Sequence, residues 1–137
     1  MNTKPVLGLE DVEAMLTGAR REAQKHSWNV SIAIVDDGGH PLGFYRLDGA
    51  PPGSAYMSAE KARTAALGRR ESKVYEDMIN GGRIAFLSAP LSATLEGAVP
   101  VMVNGECVGA VGVSGVKSDQ DAQIARAGAA CLGGTVA

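Results

Sequence analysis

The chain has 137 residues, of which 45% are hydrophobic, 20% charged and 4% aromatic, with a formal net charge of −2. Residues 1–137 suit a single domain, and the slightly acidic balance excludes a nucleic-acid binder, which needs a basic face. No stretch approaches the ~20 apolar residues of a membrane span, and "MNTKPVLGLEDVEAML" lacks a basic segment leading into an apolar run, so a cytoplasmic protein without a membrane partner is expected.

In chain order, Leu9, Val12, Leu16, Ala19 and Ala23 recur at helical spacing, opposite Glu10, Glu13, Arg20, Arg21 and Gln24. This predicts an amphipathic surface helix of roughly 18 residues, with His26 one step further along its apolar stripe. "VSIAIVDD" (30–37) is rich in β-branched residues and reads as a strand; "DGGHP" turns it, and "LGFYRLD" returns, giving a hairpin. Pro51, Pro52 and Gly53 break structure before Ser54, the expected N-cap of the helix "AYMSAEKARTAALGRR". A short helix, "ESKVYEDMI", stops at Asn80-Gly81-Gly82, and "RIAFL" is read as a strand. "AVPVMV-NG-ECVGAVGVSG" is the clearest hairpin, because Asn104-Gly105 suits the two positive φ angles of a type I′ turn. Ser118 and Asp121 form an S-x-x-D capping pattern that opens the last helix, "DQDAQIARAGAACL".

Hairpins in place of βαβ units predict an antiparallel sheet, hence an α+β fold with helices packed on it. The core is dominated by alanine, glycine and valine, which bury little area each, so association of copies is expected to bury more. Cys107 and Cys131 lie far apart without C-x-x-C spacing and are expected to be reduced thiols.

Two blocks, "VSIAIVDDGGHPLGFYRLDGAPPGSAYMSAEKARTAA" and "GAVPVMVNGECVGAVGVSGVKSDQDAQIARAG", resemble the GlcG/HbpS family, which also includes the C-terminal domain of PduO-type proteins. The resemblance runs from the first helix to the last. It implies a profilin-like α/β/α sandwich, homo-oligomers from dimer to octamer, and haem or a corrinoid as ligand. In one place the sequence departs from the family, which commonly has paired glycines where this chain reads Glu96-Gly97. The extra acid suggests a small-molecule specificity particular to this chain.

The charges of "YRLDGAPPGSAYMSAEK" are the candidate site residues. Arg46 and Asp48 would share one strand face and either pair with each other or face a ligand, with Arg46 as a carboxylate or haem-propionate clamp. Gly49 to Gly53 would bring the backbone close to the ligand. Lys61 either snorkels to solvent or is partly buried on its alanine-rich face, where burial favours the neutral amine that accepts a proton. Glu60 lies beside it in sequence. His26, His40 and Met57 are the possible haem-iron ligands, and no H-x(3)-H or E-x-x-H pattern suggests a structural metal site. "GAVGVSG" departs from the dinucleotide fingerprint G-x-G-x-x-G and sits in a hairpin, so its glycines are read as points of close approach, with Ser114 at the strand's end lining a pocket.

Two functions fit these residues. One is a binding protein for haem or a related planar macrocycle, with Arg46, Asp48, Gly49, Met57, Ser114 and His26 around the ligand. The other is a cofactor-independent enzyme of the isomerase or lyase type acting on a small carboxylate or aromatic substrate, with Lys61, Glu60 or Glu96 moving protons. A structural partner of another enzyme is a third.

Overall fold

The computed structural model describes residues 1–132. Four strands, β1 (Ser31–Asp36), β2 (Pro41–Arg46), β3 (Ala98–Val103) and β4 (Glu106–Ser114), form one antiparallel sheet in the order β2-β1-β4-β3. Helices α1 (Leu9–Lys25) and α4 (Ser118–Ala129) pack together on one face, and α2 (Pro52–Gly68) lies on the other, followed by the short α3 (Ser72–Asn80). The fold is α+β, as the hairpins predict.

Alternation along the strands sorts two cores. Ile32, Ile34, Val99, Val111 and Val113 pack with Val12, Met15, Leu16, Ala19 and Ile124 under α1 and α4. The opposite face holds Ala33, Val35, Ala98 and Ala110 against Ala62, Ala65 and Ala66 of α2. Only small residues serve there, because the helix lies almost on the sheet. A Cβ on Gly112 would collide with the Ser58 carbonyl oxygen and lie 2.6 Å from the Ala62 nitrogen. The pairing also aligns Arg46, Ser31 and Ser114 in one row across β2, β1 and β4, on the α2 face, where the Ser31 hydroxyl meets that of Ser54 at 2.9 Å.

Several sequence expectations are corrected. Residues 84–88 form a 3₁₀ turn, Ile84–Ser88, instead of a strand, and the Ser88 hydroxyl donates locally to the Ala85 carbonyl. Helix α2 starts at Pro52, whose fixed φ suits a first turn, with Pro51 as N-cap. Ser54 therefore lies inside the helix. Ser118 is the first residue of α4, and Lys117 occupies the cap position. Leu9 opens α1 but is exposed, so the apolar stripe starts at Val12. The Asn104-Gly105 turn has the expected positive φ values of 50° and 78°.

Candidate functional site

The charged residues on and around α2 occupy three distinct settings. Lys61 belongs to a sealed one. Alanines on either side let α2 approach the sheet, and the lysine is carried inward until 3% of it is exposed. Its ammonium donates to the Val113 carbonyl at 3.1 Å and to Asp121 Oδ2 at 3.2 Å. The other Asp121 oxygen accepts from the Val116 N–H at 3.1 Å, so the S-x-x-D pattern turns its acid inward, away from the helix cap. Burial pushes the Asp121 carboxyl up to about 6, against the opposing charge of Lys61. Gly97 closes over the pair: a Cβ there would lie 2.7 Å from Lys61 Nζ. The pair thus ties α2, β4 and the start of α4 together.

The second setting is the outer flank of α2. Glu60 and Thr64, one turn apart, both bond Ser92, the acid accepting from its hydroxyl and the threonine donating to its carbonyl. These bonds hold residues 89–94 beside the helix, with Ala93 in the left-handed region at φ 53°. A cleft of about 590 Å³ opens there, lined by Arg63, Leu87 and residues 89–94. Arg63 is half-buried and makes no hydrogen bond or ion pair among the described residues. An arginine facing leucines and a proline, with nothing to neutralise it, is suited to an amphipathic acid.

The third setting lies between two turns. At the end of α1 the chain reverses with Ser27 at φ 58°, and after β2 it reverses with Gly49 at φ 82°, packed on the Asn29 side chain. Between them is a cleft of about 430 Å³ lined by Gln24, Trp28, Asn29, Arg46, Leu47 and Asp48. Arg46 donates from Nε and Nη2 to the Ala50 carbonyl at 3.3 and 3.1 Å. Asp48 lies beyond the end of β2, in the turn, so the expected shared strand face is absent. The Arg46–Asp48 ion pair is also absent among the described residues.

The expected site residues are therefore dispersed. Arg46, Asp48 and Gly49 gather at the third setting, and Glu60 stands at the second. Lys61 is enclosed in the first. Met57, exposed, lies one turn before Glu60 on α2. Ser114 is buried in its row with Ser31. Glu96 uses its backbone N–H to bond Glu76 at 3.0 Å. His26 leaves the apolar stripe: it caps α1 at the surface, stacks on Trp28 at 4.3 Å between centroids, and places Nε2 3.1 Å from Glu22. His40 sits 3.0 Å from Asp36 in the β1–β2 turn. Asp121 and Arg63 were not among the candidates. The buried acid was visible only as a capping residue, and the arginine had no motif around it.

A family model described as haem-degrading protein HbpS-like matches residues 7–130. Among curated proteins, Protein GlcG of Escherichia coli K12 is 56% identical over 114 residues, covering 83% of this chain and 85% of that protein. The crystal structure of a Streptomyces reticuli HbpS double mutant superposes with a TM-score of 0.88 at 33% identity, covering 96% of this chain and 90% of that one. The crystal structure of a PduOC–haem complex shares the fold, with a TM-score of 0.85 at 24% identity over 93% of this chain and 96% of that one.

Proposed function

The chain belongs to the haem-degrading HbpS-like family, and on that premise we propose that it binds haem or a closely related acidic, planar macrocycle in the cleft between α2 and residues 87–94. The observation that carries this reading is Arg63, a guanidinium without a partner among the described residues, set against Leu87, Pro90 and Leu91. Haem is a flat apolar body with carboxylates on one edge, and a cleft that sets Leu87, Pro90 and Leu91 beside an arginine unpaired among the described residues complements both parts. The Arg46 cleft fits it less well. The Asp48 carboxylate in its lining would repel a propionate.

In this reading Arg63 pairs with a propionate, and Leu87, Pro90 and Leu91 exclude water from the ring. Glu60 and Thr64 act through Ser92 by holding the loop in place. Met57, one turn before Glu60 on α2, is the thioether nearest in sequence to these groups, whereas His26 is engaged with Glu22, and His40, in the turn whose Gly39 lies against the Arg63 stem, is engaged with Asp36. Bound haem would supply a redox-active iron. The proton-transfer reading has weaker support, since Lys61 and Asp121 are sealed from solvent.

Titration with haem, followed at the Soret band, tests the proposal. Saturable binding is expected, weakened about 10–100-fold by Arg63→Ala, the range of a charge-assisted hydrogen bond. Met57→Ala should move the band, and Arg46→Ala, His26→Ala and His40→Ala should leave it in place. Unsaturable binding, or binding indifferent to Arg63, would overturn the proposal. Association of copies belongs to the same proposal, supported by Leu42 and Phe44, which are exposed on the edge strand β2. Light scattering should give a mass above the 14.1 kDa of one chain.

A further inference from the structure

The cleft between the α1–β1 turn and the turn after β2 is unused by the haem reading, and its charges are arranged unusually. Arg46 and Asp48 are two residues apart, carry opposite charges and line the same cleft, yet do not bond each other. Arg46 is fixed instead by its two bonds to the Ala50 carbonyl, which leave Nη1 without a partner among the described residues. Asp48 is exposed, and its carboxylate has no partner among the described residues. The surrounding backbone is held in place: Leu47 N–H bonds the Val30 carbonyl at 2.9 Å, Ala50 N–H bonds Leu47 at 3.1 Å, and Trp28 N–H bonds Ala23 at 2.9 Å. Ser27, left-handed, closes α1 in a Schellman turn, its N–H bonding the Gln24 carbonyl at 3.1 Å, which fixes this side of the rim. Gln24 and Asn29 add two carboxamides to the rim.

We propose that this cleft is a second site, separate from the haem cleft, that takes a small zwitterion of the polar α-amino-acid class. The ligand carboxylate would meet the outer edge of the Arg46 guanidinium, its ammonium would meet Asp48, and a polar side chain would meet the carboxamides of Gln24 and Asn29. A cation fixed in advance loses little entropy on binding, and two opposed charges reject a ligand that carries only one of them, because the other is left facing an uncompensated group. Asp48, which disfavours a haem propionate, favours a zwitterion.

Free glutamine is the probe, compared with its deaminated analogue, which keeps only the carboxylate, and its decarboxylated analogue, which keeps only the ammonium. Each is titrated into the intact protein while backbone amide shifts are followed by NMR. Saturable shifts confined to residues 24–29 and 46–50 are expected for glutamine, with each analogue about tenfold weaker or more, the usual worth of a lost charged hydrogen bond. Asp48→Asn, at a side chain without a hydrogen bond or ion pair among the described residues, should weaken glutamine by a similar factor and strengthen the deaminated analogue, whose carboxylate is no longer repelled. Arg46→Lys should weaken glutamine and the deaminated analogue together. The proposal is overturned by an absence of saturable shifts, by shifts centred on Arg63, by equal binding of a singly charged analogue, or by indifference to Asp48→Asn. Haem binding, read separately through Arg63→Ala, is expected to be unaffected by either cleft variant.

Discussion

Lys61 and Arg63 stand two residues apart on α2 and live in opposite surroundings. Lys61 points to the sheet, where the Val113 carbonyl and Asp121 take its hydrogen bonds and 4% of its side chain is exposed. Arg63 points along the outer flank into an open cleft, with no partner among the described residues. A buried ammonium must be satisfied within the fold, since desolvating an unpaired ion costs several kcal/mol, and once satisfied it has little left to offer a ligand. A half-buried guanidinium beside apolar walls keeps its donors for whatever enters. Neighbouring cations on one helix thus divide into a structural tie and a recognition group.

The sharpest way to break this comparison is to remove each charge in turn. Lys61→Ala should destabilise the protein by about 3–5 kcal/mol, because Asp121 is left buried without its partner. Arg63→Ala should cost about 1 kcal/mol, because only the packing of its half-buried stem on Gly39 is lost. Urea melts of the two variants measure both, and equal losses would erase the distinction. The double change Lys61→Met with Asp121→Asn should recover most of the Lys61→Ala loss, since no buried charge then remains and the amide oxygen still accepts from Val116.

Acidity sharpens the contrast further. The Asp121 carboxyl titrates at about 6 in the fold against an ordinary value of 3.8, so the native state holds its proton over a range where the unfolded chain has released it. That contribution to stability is fully present below the unfolded value and is lost as the pH rises through the folded one. The stability of the parent protein relative to Asp121→Asn should therefore decline between about pH 4 and pH 7, and the difference between the parent and Arg63→Ala should stay flat. The smallest effect belongs to the exposed Arg126–Glu71 pair, 2.8 Å apart. Arg126→Ala should cost about 0–1 kcal/mol, and less in high salt.

Much of this fold was legible in the sequence because local rules and burial agree. Asn104-Gly105 demands its turn, and the stripe from Val12 to Ala23 has one place to go. "RIAFL" misled because apolar residues in a short run do not distinguish a strand from a 3₁₀ turn without knowledge of a pairing partner. The importance of the α2 region was visible, but the roles within it were not. Lys61 and Asp121 are 60 residues apart, and their contact follows from the closeness of α2 to β4, which Gly112 permits. Arg63 was hidden for the opposite reason. Its significance lies in having no partner, and no local pattern announces that. The placement of His26 failed by a single residue: the helix stops at Lys25, so the periodicity no longer applies one step later.

The β3–β4 turn offers a handle on the molecule. Gly105 has open space where a side chain would stand, and nine residues of β4 at ~3.4 Å each separate that turn from Ser114 at the other end of the strand. Exposed loop tips of this sort tolerate insertion. A tether or fluorescent tag grafted there could anchor the protein to a sensor surface with the Arg46–Ser31–Ser114 end of the sheet directed away from the support.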